Sequence, residues 1–460
     1  VSSKFSSLSL LPALLSNLNS LNYLSMTPIQ EQSLPAILKG GDLIAQAKTG
    51  SGKTAAFALG VLQQLNNKRF RPQALVLCPT RELADQVAKE FRSLARQIEN
   101  VKVLTLCGGQ PFGPQVGSLE HGAHIVVGTP GRVEAHLRKG NLKTQDIATL
   151  VFDEADRMLD MGFQESIDTI MGYLPEKRQN LLFSATFPPE IDAIARRVLH
   201  NPTHIRLKSD HSASTIDQRF YSVDSPQSRL DATLTLLYAH QAASAIIFCA
   251  TKKESQALAD DLADSGFSAL AIHGDLDQRQ REQALTQFAN KSLSVLVATD
   301  VAARGLDIDD LDLVINFHMS RDPEVHVHRI GRTGRQGATG VACTLVSPKD
   351  DEKCRRLEDL LPEPISLAAL PHVPDDKCLP VRAAMQTLQI DGGKKQKVRP
   401  GDVLGALTAG GKIQGKQVGK IHVMDFCTYV AVESDLIRTA MNVLNSGKIK
   451  GRNFKARGVR

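Results

Sequence analysis

Leu43-Ile44-Ala45-Gln46-Ala47-Lys48-Thr49-Gly50-Ser51-Gly52-Lys53-Thr54-Ala55-Ala56-Phe57-Ala58-Leu59 reads as a short apolar strand, a glycine-rich turn and the opening of a helix. A turn in that setting aims backbone N–H groups and a helix N-terminus at phosphate oxygens. Thr49, Gly50, Ser51 and Gly52 form the cradle, Lys53 would reach the β- and γ-phosphates, and the Thr54 hydroxyl would help to hold Mg2+. The strict pattern opens on glycine, where this chain has Ala47. Further on, the apolar run Leu150-Val151-Phe152 is followed by Asp153-Glu154-Ala155-Asp156. An acid at a strand's C-terminal end can hold a metal's water shell, and Glu154 beside it can orient or deprotonate an attacking water. Either segment alone is often a plain surface feature. Together, each behind a buried-type strand, they point to hydrolysis of a nucleoside triphosphate.

The same rhythm of apolar run and helical stretch extends outward, with runs at 74–77, 101–104, 124–127, 150–152 and 181–183. It implies an α/β fold over residues 1–207, a parallel sheet with helices on both faces. Residues 208–216 are small and polar and read as a linker. Runs at 245–248, 268–271, 295–297 and 313–316 then imply a second α/β domain over 217–372. A proline-rich stretch includes the linker 373–386 and leads to a small α+β domain over 387–460. Its predicted pieces are a basic strand at 395–399, a helix after Pro400-Gly401-Asp402, strands at 421–424 and 427–432, a helix capped by Ser434, and a last strand near Phe454. That β-α-β-β-α-β order is the plan of an RNA-recognition motif.

A length of 460 residues is too great for one core, and 42% hydrophobic with 23% charged residues is ordinary for a soluble protein. Seven cysteines without a C-x-x-C pair argue against a zinc site and a disulfide framework, and suit a reducing cytoplasm. The apolar stretch at 8–15 is broken by Pro12 and lacks a cleavage site, so it reads as an amphipathic helix rather than a signal peptide. No run is long enough to span a bilayer, and no obligate protein partner is evident. Charge is distributed unevenly. Residues 391–460 hold fourteen Lys and Arg against five Asp and Glu, which leaves 41 against 44 in the rest. The whole positive excess of +6 therefore lies in the third domain, as expected for a nucleic-acid partner.

Further motifs follow in order: Pro79-Thr80-Arg81-Glu82-Leu83-Ala84, Gly108-Gly109, Thr129-Pro130-Gly131-Arg132, Ser184-Ala185-Thr186, Ala298-Thr299-Asp300 running to Arg304-Gly305-Leu306-Asp307, and His328-Arg329-Ile330-Gly331-Arg332-Thr333-Gly334-Arg335. With the two segments above they resemble the DEAD-box RNA helicases over both α/β domains. The resemblance implies two RecA-like domains, ATP and Mg2+ as cofactors, and an RNA-stimulated ATPase. Phe5 and Thr27-Pro28-Ile29-Gln30 resemble the family's adenine-reading element, with Asn22 where the family usually has glycine. The Gln30 amide can pair with adenine N6–H and N7 and reject guanine. Arg332 and Arg335 would reach the γ-phosphate, where an arginine is worth roughly 10³–10⁵ in rate. Gly305 and Asp307 resemble positions at the γ-phosphate and ribose; Asp156, Ser184, Thr186 and His328 resemble the set coupling nucleotide to RNA.

RNA contacts are implied for Pro79, Thr80, Arg81, Gly109, Thr129, Pro130, Gly131, Arg132, Arg281, Thr299 and Asp300, mostly to the sugar–phosphate backbone. Ile390-Asp391-Gly392-Gly393-Lys394-Lys395, Arg399-Pro400-Gly401-Asp402 and Gly447-Lys448-Ile449-Lys450-Gly451 resemble the DbpA-type branch. That branch implies a 23S ribosomal RNA hairpin in the large-subunit precursor as substrate. Lys397, Arg399, Lys448 and Lys450 are the expected basic contacts. In the strand 425–432 only Tyr429 falls in phase with an exposed stacking aromatic. A DNA translocase and an RNA chaperone with a vestigial ATP site are the rival readings. Gln30 and the third domain oppose the first, and Lys53, Glu154 and Arg332 oppose the second.

Overall fold

Alternate residues of each strand of the first sheet enter opposite cores: Ala74 and Val76 one, Leu75 and Leu77 the other. A strand buried on both faces must be apolar throughout, which is why these runs carry no polar alternation. The computed structural model describes residues 4–47, 50–187, 189–207, 216–303, 311–334, 340–361, 364–374 and 378–459. Thr49, Gly305, Asp307, Arg335 and the linker residues 208–215 lie outside the described residues.

The first sheet holds seven parallel strands: β1 (Leu43–Gln46), β2 (Ala74–Leu77), β3 (Val103–Leu106), β4 (Ile125–Gly128), β5 (Thr149–Asp153), β6 (Gln179–Ser184) and β7 (Thr203–Arg206). Their order is β3-β4-β2-β5-β6-β1-β7. The second sheet holds β8 (Ile216–Ser222), β9 (Ala245–Cys249), β10 (Ala269–Ile272), β11 (Val295–Thr299), β12 (Leu313–Asn316), β13 (Gly340–Val346) and β14 (Leu367–Ala368). It is also parallel, in the order β10-β11-β9-β12-β13-β8-β14. Both α/β expectations hold. The N-terminal apolar stretch is helical over Pro12–Ser20, with Leu14 and Leu18 in the core.

The third sheet is antiparallel: β15 (Met385–Ile390), β16 (Val418–Val423), β17 (Thr428–Glu433) and β18 (Ala456–Gly458), in the order β16-β17-β15-β18. With helices Pro400–Thr408 and Ile437–Ser446, it has the expected β-α-β-β-α-β chain order. Three details differ from the sequence reading. The first strand is 385–390, not 395–399, because β15 lies between β17 and β18 and buries Leu388 and Ile390 against both helices. A lysine-rich segment cannot fill that place; instead Lys394–Gln396 forms a 3₁₀ turn. The last strand begins at Ala456, with Phe454 packed over Gly392 instead of pairing near it. The last helix begins at Ile437, behind a 3₁₀ turn at Ser434–Leu436, and Ser434 donates its hydroxyl to Ala383 O instead of capping.

The chain divides into two compact units, one carrying β1–β7 and the other β8–β18. Within the second unit the third sheet rests on the second domain. Thr387 Oγ1 accepts from Asn290 Nδ2 at 3.1 Å and lies 2.7 Å from Ser292 Oγ, and Met385 N donates to Lys291 O. Tyr429, on the same sheet face as Thr387 and Gln389, feels the charges of Arg279 and Glu282 and is only 3% exposed. The expected open stacking aromatic is therefore a buried contact. The helix Gln278–Ala289 and the turn after it cover that face at Tyr429 and Thr387, and an open cleft remains between the helix and Gln389, Arg457 and Gly458.

Candidate phosphate site and RNA-facing edges

β1 ends at the glycine-rich turn, and the helix Lys53–Gln64 begins directly after it. Gly50 and Gly52 take φ of 81° and 94°, the left-handed region that only glycine enters without strain. Ala47 is absent from the positive-φ set, so the position where the strict pattern has glycine needs none here. Lys53 is 5% exposed and donates from Nζ to Ala47 O at 2.9 Å, which holds the ammonium over the turn. A Cβ on Gly52 would lie 2.6 Å from Gln30 Nε2 and 3.0 Å from Thr27 Oγ1. Gly52→Ala is therefore expected to combine this clash with a strained φ costing about 1–3 kcal/mol. Titration with a fluorescent ATP analogue should show at least a tenfold loss of affinity.

Gln30 caps the helix Pro28–Leu38. Its Oε1 accepts from Thr27 N at 2.9 Å and its Nε2 donates to Gly52 O at 3.1 Å. Those bonds fix which way the amide points and leave one N–H and one lone pair, the pair that adenine N7 and N6–H require. Asn22 takes φ of 60°, so the position where the family has glycine is a left-handed one that asparagine tolerates. Phe5 is 3% exposed and set edge-on to Tyr23, with centroids 6.4 Å apart, at the edge of the first domain's core.

Asp153, Glu154, Asp156 and Arg157 lie at the end of β5 and are each no more than 6% exposed. Burial pushes the Asp153 carboxyl up to about 7; Lys53 opposes this and Glu154 adds to it. A divalent cation would reverse that shift, so the chemistry of Asp153 and the Thr54 hydroxyl fits Mg2+. Among the described residues no group of three or more His, Cys, Asp or Glu could hold a metal ion. Glu154 takes φ of 56°, and its Oε2 accepts from Arg157 Nη1 at 2.8 Å. Arg157 is a buried partner of the acidic turn that the sequence reading missed.

Asp156 joins β5 to β6. Its Oδ2 accepts from Thr186 N and Thr186 Oγ1, both at 2.9 Å, and from Ala185 N at 3.2 Å. Ser184 Oγ accepts from Asp156 N at 3.3 Å. Burial opposes ionisation, yet the Thr186 bonds and the nearby Lys53 and Arg157 charges hold this carboxyl below its usual range. Three of the four expected coupling residues thus form one network. The fourth, His328, lies in the helix Pro323–Ile330 of the second unit.

Because β3, β4 and β2 are neighbours, three motifs distant in sequence share one sheet edge. Pro79 and Thr80 follow β2, and both are buried. The Thr80 hydroxyl caps the helix Arg81–Leu94 by accepting from Leu83 N at 3.3 Å. Arg81 lies against Gly108 and Gly109, where a Cβ on Gly109 would come within 1.7 Å of Nη1. Thr129 precedes and Pro130 begins the helix Pro130–Arg138, whose Gly131 faces open space. Arg132 is engaged within the domain: Nη1 donates to Gln110 O at 3.0 Å and Gln115 Oε1 at 2.9 Å, and the guanidinium lies 5.4 Å from the Phe112 ring. It ties the β3 and β4 loops together.

In the second unit, Thr299 ends β11 and Arg281 donates to Ala302 O at 3.4 Å. Asp300 is held by a bidentate pair with Arg329, Nε–Oδ1 2.6 Å and Nη2–Oδ2 2.7 Å. Arg329 is 3% exposed and also donates to Asn316 Oδ1 and His318 O. Asp300, expected to touch RNA, is thus engaged in an internal pair that organises the loop; its separation from Arg329 leaves no sequence signal. Arg332 is 6% exposed and its backbone carbonyl accepts from Leu311 N at 3.1 Å.

In the third domain the basic residues expected to meet RNA lie in two loops that touch. Lys397, Arg399, Lys448 and Lys450 are all exposed. Lys450 Nζ lies 3.5 Å from Lys397 O and 4.0 Å from Asp402, which joins the two loops. Among the described residues no helix is long and apolar enough to cross a membrane.

Known proteins agree with this layout. The DEAD/DEAH box helicase family model matches residues 27–194, the helicase conserved C-terminal domain 228–337, and the DbpA RNA binding domain 387–457. The ATP-dependent RNA helicase DbpA of Escherichia coli is 52% identical over 454 residues, 98% of this chain and 99% of the relative. The DEAD-box ATP-dependent RNA helicase CshA of Bacillus subtilis is 42% identical over 345 residues, 75% of this chain and 70% of the relative. Among solved structures, S. cerevisiae Dbp5 bound to RNA and ADP BeF3 matches with a TM-score of 0.73 and 30% identity, covering 83% of this chain and 96% of the other.

Proposed function

Since this chain belongs to the DEAD-box ATP-dependent RNA helicases, with a DbpA-type RNA-binding domain, we propose that its duplex-opening activity is directed to 23S ribosomal RNA during large-subunit assembly in the cytoplasm. The match of residues 387–457 to the DbpA RNA binding domain carries this reading. The positive excess after residue 390 supports it, because the remainder of the chain has no basic surplus with which to hold a polyanion.

The first domain binds ATP. Lys53 and the turn amides hold the phosphates, the Gln30 amide meets adenine, and Glu154 orients the water. Asp153 and Thr54 would hold Mg2+, chiefly through its water, and the ion would neutralise charge developing on the phosphates. Arg332 and Arg335, which resemble the family's arginines, stabilise the charge that develops on the γ-phosphate during hydrolysis. Binding of ATP and RNA together bends the strand and opens a short duplex, and hydrolysis releases it. Asp156 carries the state of the acidic turn to Ser184 and Thr186.

RNA-stimulated ATPase activity with a 23S fragment and with random RNA of equal length tests the assignment. The parent should be activated by the 23S fragment at far lower concentration. Lys448→Ala with Lys450→Ala should weaken that activation and flatten the salt dependence of binding by about one to two counterions in slope. Equal activation by both RNAs at every concentration rules out ribosomal targeting by this chain.

A further inference from the structure

We propose that Phe426, at the tip of the β16–β17 hairpin, stacks on an unpaired nucleobase of the bound RNA, beside the lysines that hold the RNA backbone. The proposal rests on the reading that the third domain grips RNA through its basic loops, and adds a base-binding position to that grip. Phe426 is 68% exposed. One exposed apolar side chain is unremarkable by itself; its setting is what distinguishes this one. The other aromatic rings of the third domain are committed, since Tyr429 is 3% exposed against the second domain and Phe454 covers Gly392. Among the described residues, Phe426 is the ring this domain offers to solvent.

The ring stands on a braced turn. Met424 N donates to Cys427 O at 2.8 Å, closing a turn over Asp425 and Phe426. Lys394 N donates to Met424 O at 2.8 Å and Lys395 N to Asp425 O at 2.9 Å, so the lysine loop is strapped to the hairpin. Gly393 makes the strap possible, because a Cβ there would lie 2.3 Å from Met424 O. Thr428 Oγ1 adds a bond to Gly392 O at 2.7 Å. A rigid platform loses little freedom on binding, and every base presents a π-face to it. The chemistry around the tip also selects a base over a phosphate. The exposed Asp425 carboxylate repels phosphate at the tip, while exposed Lys394 and Lys395 attract it alongside. A paired base is already stacked within its helix, so the partner is a bulged or looped nucleotide.

The test uses the full chain and two RNA hairpins closed by the same base-free linker and with equal numbers of phosphates, one with a fully paired stem and one with a bulged 2-aminopurine in its stem. Phe426→Ala should weaken binding of the bulged hairpin about tenfold and abolish the quenching of its fluorescence. Binding of the paired hairpin and the salt slope should not change. Phe426→Trp should restore the preference and Phe426→Leu should not. Lys394→Ala with Lys395→Ala should weaken both hairpins and reduce the slope. If the lysine variant weakens binding but Phe426→Ala matches the parent, or weakens both hairpins alike, stacking is overturned and the basic-loop reading stands. If neither variant alters binding, the stacking is overturned, and the basic-loop reading stands or falls with Lys448→Ala and Lys450→Ala.

Discussion

Glu154→Gln should bind ATP as the parent does and turn it over about 10²–10⁴ times more slowly, the range lost when a positioned general base is removed. The substitution is nearly isosteric. Its amide oxygen can still accept from Arg157 Nη1, which Glu154 Oε2 meets at 2.8 Å, so the buried turn after β5 keeps its partner. What disappears is the negative charge assigned above to orienting or deprotonating water. ATP then persists, and the RNA should remain held if hydrolysis is the step that releases it. Single-turnover phosphate release, nucleotide affinity and RNA dissociation, measured on one preparation, separate these effects. Turnover at the parent rate would remove Glu154 from the chemistry.

The second large effect concerns stability. Asp300→Ala should destabilise the second helicase domain by about 3–5 kcal/mol, since it removes both oxygens from the Arg329 guanidinium and leaves that buried charge short of partners. Asp300 is 30% exposed on its side chain, which lets water reach the vacancy and places the loss toward the lower end. Asn316 Oδ1 and His318 O remain for Nη1 but cannot replace a carboxylate on Nε and Nη2. The chain has no tryptophan and several domains, so a single optical transition does not report on this site. Hydrogen exchange in β12 does. Unchanged protection there with weakened RNA binding would return Asp300 to the role of an RNA contact.

That contrast between Glu154 and Asp300 shows where the sequence is legible. The phosphate turn is contiguous: Gly50, Gly52 and Lys53 act through local backbone geometry, so spacing alone identifies them. Thr80 is legible as a motif residue, yet its hydroxyl serves the start of a helix three residues away. Asp156 and Thr186 are thirty residues apart, and resemblance linked them before the adjacency of β5 and β6 supplied the physical cause. The Asp300–Arg329 pair had no such guide.

The two α/β domains, the acidic turn after β5 and the charged third domain follow from apolar runs, glycine placement and charge, all properties of neighbouring residues along the chain. Tertiary structure alone decided that Tyr429 is buried, that β15 rather than the lysine-rich segment pairs in the third sheet, and that Arg132 is tied to the β3 loop. In each case the outcome depends on which surface arrives opposite the residue. A strand shows its two faces in sequence, but not which one another domain will cover. For Tyr429 the covering element is the helix at 278–289, whose Arg279 and Glu282 place their charges against a ring about 150 residues later in the chain.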